Sequence, residues 1–125
     1  MDENALANEL IGAAIEVHKH LGPGLMESAF QTCLSRELTL RGLSFESEVP
    51  VAVDYKDVAV EDAYRVDLLV GDKLIVELKT VASLSEIHKA QLLTYLRLTH
   101  RKLGLLINFN EQLLKHGIQR VVNNL

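Results

Sequence analysis

The chain has 125 residues, 48% of them apolar, and a net charge of −4 from 13 basic and 17 acidic side chains. That length suits one domain with one sizeable core, and the composition excludes a disordered tail. A single cysteine excludes an internal disulfide framework or a cysteine-built zinc cluster, and the acidic balance excludes a basic nucleic-acid coat protein.

The average hides an asymmetry. Residues 1–62 carry 12 acidic and 4 basic side chains, whereas residues 63–125 carry 5 and 9. Either the second half faces a polyanion or two solvated faces simply differ. The N-terminus has no basic region followed by an apolar stretch, and no apolar run is long enough to span a bilayer. A cytoplasmic protein with no membrane partner is expected.

In chain order, Leu6, Leu10, Ala13, Ala14, Val17 and Leu21 recur every three or four residues, which predicts an amphipathic helix over 4–21. Gly22-Pro23-Gly24 ends it. A second helix is expected over 25–41, with Met26, Phe30, Cys33, Leu34 and Leu38 inward and Gly42 at its close. Cys33 reads as a core residue, not a nucleophile.

The period then changes. Residues 45–54 alternate like a strand, 55–61 read as a turn or hairpin end, and 64–70 and 74–80 read as two more strands joined at Gly71-Asp72-Lys73. Ser83 and Glu86 have capping-box spacing and open a helix over 84–99. Residues 103–108 predict a strand, 110–116 a helical turn or two, and 118–122 a last strand. The order ααβββαβ, with a further αβ, makes an α/β (α+β) fold: a mixed central sheet flanked by helices.

The hairpin fixes where chemistry can sit. If paired residue numbers sum to 144, Val66 faces Leu78, Leu68 faces Val76 and Val70 faces Leu74, and all six are apolar. Asp67 then lies opposite Glu77, with Lys79 two residues further along that face. Two carboxylates across a strand pair repel unless a cation sits between them. A hard divalent ion is held by one or two carboxylates, and a nearby lysine can orient a water. The plain alternative is an exposed polar hairpin face.

Glu27, in the first turn of the second helix, either answers the helix macrodipole or turns inward as a third carboxylate. His88, Gln91 and Tyr95 form a polar stripe on the 84–99 helix. His18, His20, His100 and His116 show no paired metal spacing and read as surface residues. Arg97, Arg101 and Lys102 form a small basic cluster, either for phosphates or as a solvated helix end. No phosphate-binding glycine loop and no nucleophile elbow is present.

Gly24-Leu-Met-Glu27-Ser-Ala-Phe30, Tyr64-Arg-Val-Asp67, Val76-Glu77-Leu78-Lys79, Ala90-Gln91-Leu-Leu-Thr-Tyr95 and Gly104-Leu-Leu-Ile-Asn108-Phe109 stand in order. Together they resemble the GxxExxY proteins of the PD-(D/E)XK nuclease superfamily, over residues 5–122. The resemblance implies a restriction-endonuclease-like core. It implies Mg²⁺ or Mn²⁺ bound by Asp67, Glu77 and the Leu78 carbonyl, with Lys79 positioning the attacking water. Glu27 matches an extra helix-borne carboxylate, and Gln91 and Tyr95 match a glutamine-x-x-x-tyrosine element. Phe30 stands where the family has tyrosine, and Val66 where the superfamily has proline.

The expected function is therefore metal-dependent hydrolysis of nucleic acid, DNA ahead of RNA. Arg65, Lys89, Arg97, Arg101 and Lys102 are expected to supply backbone contacts. The rival readings are a nuclease fold that binds nucleic acid or a protein without cutting, and a small subunit that works as a homodimer.

Overall fold

A computed structural model describes residues 1–125 as three helices and one five-stranded sheet. The helices are α1 (Glu3–Leu21), α2 (Glu27–Leu40) and α3 (Glu86–Thr99). The strands are β1 (Phe45–Tyr55), β2 (Val58–Val70), β3 (Leu74–Lys79), β4 (Leu103–Asn108) and β5 (Ile118–Val122). A 3₁₀ turn covers Leu114–Gly117. Strands lie in sequence order; β3 and β4 are parallel, joined through α3, and all other neighbours are antiparallel. No helix is long and apolar enough to cross a membrane.

The sheet divides two apolar layers. Leu6, Leu10 and Ala14 of α1 and Phe30, Leu34 and Leu38 of α2 pack on Leu68, Val76, Leu78 and Leu105. Leu92, Tyr95 and Leu96 of α3 pack on the other face, against Val66, Leu69, Ile75 and Leu106. Burying each such leucine fully contributes about 2 kcal/mol. All six residues of β4 are buried, as befits a central strand covered on both faces. Pro50 is tolerated because β1 is an edge strand.

Several expectations need correction. The second helix begins at Glu27, two residues late, because Met26 is still extended, and Met26 is 75% exposed instead of inward. The 55–61 turn is only Lys56-Asp57, both with positive φ, and β2 starts at Val58. A two-residue loop with left-handed residues matches the strand twist, so pairing resumes at once, with Tyr55 opposite Val58. The α3 cap lies two residues beyond the Ser83–Glu86 box: Ser85 N–H donates to His88 Nδ1 at 3.1 Å, and the helix starts at Glu86. His88 is thus a cap rather than part of a functional stripe. His18, expected on the surface, is buried, and its Nε2 donates to the Glu111 carbonyl at 2.7 Å.

Leu68–Val76, Leu69–Ile75 and Val70–Leu74 pair in the expected register. Beyond them the alternation breaks. Phe45 and Leu68 belong to the α1/α2 layer, yet Val49 and Val66 belong to the α3 layer. Residues two apart in a regular strand share a face, so both strands swap faces between these positions. The swap sits at Glu48, whose φ is +54°, and at Asp67 opposite it. Val66 therefore does not face Leu78 in the α1/α2 layer, as simple alternation requires. It packs under α3.

Candidate metal centre and active site

The face swap shapes the site. Asp67 is not a ladder partner of Glu77, since regular pairing stops at Leu68–Val76. Instead the Leu78 N–H donates to Asp67 Oδ2 at 2.8 Å, so the carboxylate takes the place of a strand carbonyl. Its other oxygen remains for a further partner. From the α2 side, Gln31 Nε2 donates to Glu48 Oε1 at 3.0 Å and to the Asp67 carbonyl at 3.3 Å. Gln31 thus pins both residues of the irregularity.

Glu77 continues the face of Ile75 towards α3. It is 2% exposed, and Tyr64 Oη donates to its Oε1 at 2.9 Å. Its Oε2 is buried with no hydrogen-bond partner. A buried carboxylate oxygen left unpaired is costly and rare. Burial pushes the Glu77 carboxyl up to about 9; the neighbouring Asp67 carboxylate adds to this, against the Tyr64 hydroxyl and the Lys79 ammonium.

Tyr64 in turn stacks on Tyr95, with ring centroids 3.9 Å apart and planes 14° from parallel. Burial, followed by the charge of Glu77, raises the Tyr64 phenol, and burial raises Tyr95. Both phenols stay protonated, so Tyr64 remains a donor to Glu77. Nothing in the sequence singles out position 64 for a role of its own. Uninterrupted alternation puts it with Leu68, on the face away from Glu77.

Asn108 is a second unforeseen residue. It is fully buried beside Lys79 in the β3–β4 register. Its Oδ1 accepts from the Val81 and Asn110 N–H groups at 3.1 and 3.2 Å, and its Nδ2 donates to the Val81 carbonyl at 2.9 Å. Phe109 N–H donates to the Lys79 carbonyl at 2.9 Å. These bonds fix the backbone just after Lys79. Asn108→Ala strands the Val81 and Asn110 N–H groups, while the Val81 carbonyl keeps Asn110 Nδ2 at 3.3 Å; it should cost roughly 2 kcal/mol, measured by urea unfolding, and a cost under about 0.5 kcal/mol contradicts the clamp.

The other predicted residues are placed less centrally. The Gln91 side chain is exposed and makes no hydrogen bond, while Tyr95 meets the carboxylate corner through its stack on Tyr64. Glu27 is exposed at the start of α2, and no group of three or more histidine, cysteine, aspartate or glutamate side chains is drawn together. The pair Asp67–Glu77 is therefore formed and the expected three-carboxylate cluster is not. Glu27 still lies one helical turn before Gln31, on the α2 face that meets Asp67.

The expected basic cluster is mostly spent elsewhere. Arg65 forks onto Asp62 at 2.9 and 3.0 Å, and Lys89 pairs with Glu86 at 3.1 Å. Arg101 bonds Asp72 of the β2–β3 turn at 2.7 Å. That turn is the end of the sheet opposite Lys79. Helix α3 runs antiparallel to β3, which carries Arg97, Arg101 and Lys102 away from the carboxylates.

The donor set fits a hard divalent cation. A buried carboxylate with a free oxygen, a second carboxylate beside it and a lysine on the same face form an oxygen-rich corner. A family model for the PD-(D/E)XK nuclease superfamily matches residues 4–121. The crystal structure of SSO0001 matches with a TM-score of 0.55 at 17% identity, covering 96% of this chain and 78% of that one. That likeness bears on the fold alone. No curated protein matches the sequence.

Proposed function

The chain belongs to the PD-(D/E)XK nuclease superfamily, and from that premise we propose that it is a metal-dependent nuclease centred on Asp67, Glu77 and Lys79. Nucleases of this superfamily act on nucleic acid and typically use divalent metals. One observation carries the reading for this chain: Glu77 is almost wholly buried, holds an unpartnered oxygen and lies against a second carboxylate.

Asp67, Glu77 Oε2 and the Leu78 carbonyl would hold Mg²⁺ or Mn²⁺. A bound ion supplies Lewis acidity at the scissile phosphate and makes water a stronger nucleophile at neutral pH. Lys79 orients the attacking water and offsets the charge of the attacked phosphate. Tyr64 fixes Glu77 by taking up Oε1, which would leave Oε2 free to bind a cation. Tyr95 supports Tyr64 by stacking. Gln31 and Asn108 hold the two backbone segments that carry Asp67 and Lys79. Glu27 acts from the rim, through water.

The test is cleavage of single- and double-stranded DNA, then RNA, with Mg²⁺ or Mn²⁺ against EDTA, alongside Asp67→Ala and Lys79→Ala. Metal-dependent cutting that both variants lose supports the assignment. Equal cutting by the variants points to a contaminating nuclease, and tight binding with no turnover points to a binding module instead. A core of this size has little room for a clamp around a duplex, which keeps a homodimer within the proposal; light scattering across concentrations decides it.

The role of Tyr64 has its own readout. Tyr64→Phe keeps the stack on Tyr95 and removes only the hydroxyl. Losing a hydrogen bond that orients a metal ligand weakens metal binding by about 10–100-fold. Calorimetric titration of Mn²⁺ into the variant should show that loss, and unchanged affinity means that Tyr64 does not position Glu77 for the ion.

A further inference from the structure

A cavity of about 470 Å³ opens where α1, the Gly22-Pro23 turn and residues 112–115 meet. Its apolar walls are Ile15, Pro23, Leu113 and Leu114, and its charged rim is Lys19 and Lys115. No acidic residue lines it, although the whole chain carries a net charge of −4. Neither lysine is in an ion pair, unlike Arg65, Lys89 and Arg101. The size and the mix of apolar wall and few polar groups are those of a small-ligand cleft.

The cavity is built rather than incidental. His18 donates to the Glu111 carbonyl at 2.7 Å and so ties its α1 wall to the segment after β4. The His18 ring lies 6.2 Å from that of Phe109, which stacks on Phe30 at 4.3 Å. Phe109 also donates to the Lys79 carbonyl. The cavity therefore shares an end of the sheet with Lys79, but on the α1 side, while Glu77 and Lys79 face α3, so a strand joining the two passes around that end. The cations expected to serve a polyanion, Arg101 and Lys102, are at the other end.

We propose that this cavity is a nucleotide subsite, receiving one unit of the strand that is cut at Asp67 and Glu77. The base packs on Ile15, Pro23, Leu113 and Leu114, and its flanking phosphates meet Lys19 and Lys115. An apolar wall under the base and a lysine at the backbone phosphate contribute without reading sequence. The inference rests on the nuclease reading and deepens it: the strand is held unpaired at this point, so single-stranded or frayed ends are the preferred substrates.

Because the chain contains no tryptophan, Leu113→Trp introduces a single emitter on the cavity wall; Leu113 is 56% exposed, so the larger ring has room. In EDTA, where no cutting occurs, this variant is titrated with a short single-stranded oligonucleotide, with a nucleoside monophosphate and with inorganic phosphate. The oligonucleotide and the nucleoside monophosphate should change its emission saturably, and inorganic phosphate should not. In parallel, binding of the labelled oligonucleotide to the wild type and to Lys19→Gln/Lys115→Gln is followed against salt. The double variant should bind about tenfold more weakly near 0.1 M salt, with a log–log slope shallower by about 1.4. Wild-type affinity and slope in the double variant, with silent emission from the tryptophan, overturn the subsite while metal-dependent cleavage still upholds the nuclease. Emission that responds to phosphate alone also overturns it, since the cavity is then a simple anion site. A wild type that binds no strand overturns it too, and the cleavage assay then judges the nuclease reading separately.

Discussion

Asp67→Asn is expected to lower the proposed metal-dependent phosphodiester hydrolysis by about 10³-fold and to leave the fold intact. The amide oxygen can still accept from the Leu78 N–H, which Asp67 Oδ2 accepts at 2.8 Å, so the local backbone keeps its partner. What disappears is one negative charge at the proposed metal site. An ion acting as Lewis acid contributes several kcal/mol, and about 1.4 kcal/mol is a factor of ten in rate. Glu77→Gln should behave alike. Glu27→Gln, at an exposed position outside the pair, should cost only about tenfold, in keeping with a contact made through water. Rates are measured on labelled oligonucleotides, with circular dichroism as the check on folding. Wild-type rates in Asp67→Asn, or a greater loss in Glu27→Gln than in Asp67→Asn, would reverse this order of roles.

The second large effect is on stability. In the unfolded chain Glu77 ionises near its ordinary value of 4.5, and in the fold burial pushes it up to about 9. Below 4.5 both states hold the proton and the contribution is fully present. Between the two values the folded chain keeps a proton that the unfolded chain has lost, so stability falls as pH rises. It has gone once pH passes about 9. One proton sets a slope of up to about 1.4 kcal/mol per pH unit. Urea unfolding in EDTA across this range should show that decline, and Glu77→Gln should flatten it. Excess Mn²⁺ should reverse it, since metal binding at neutral pH expels the proton from Glu77. A pH profile that is the same in Glu77→Gln contradicts the burial-driven shift.

How much of this could be read in the sequence follows from which interactions are local. Apolar alternation is local, and it correctly sets Leu68, Leu69 and Val70 against Val76, Ile75 and Leu74. The helices α1 and α3 and their buried leucines follow from three- and four-residue spacing. The Asp67–Glu77–Lys79 set is visible because the hairpin brings the two strand ends together, although Asp67 meets Glu77 through the face swap and not as its ladder partner. The face swap at Glu48 and Asp67 is not visible, since nothing in a glutamate announces a positive φ. That single irregularity hides Tyr64, which regular alternation sends to the wrong side of the sheet. Val58 and Val60 are hidden among Asp57, Glu61 and Asp62, so the sequence pattern misses the early start of β2.

Charge is the least legible feature. Arg101 looks available because its partner, Asp72, is far away in sequence. Only the crossover from β3 through α3 to β4 sets the two side by side. His18 is misread as a surface residue for the same reason, because its partner is the Glu111 carbonyl across the fold. The positive excess in residues 63–125 is real, yet most of its arginines are paired or turned away from the carboxylates.

Crystals grown without metal and soaked in Mn²⁺ test the central claim most directly, by anomalous diffraction. One strong peak is expected, bounded by Asp67, Glu77 Oε2 and the Leu78 carbonyl, and Glu77→Gln should remove it. Saturating Mn²⁺ with no peak there, or with its peak elsewhere on the chain, contradicts a metal centre at this site.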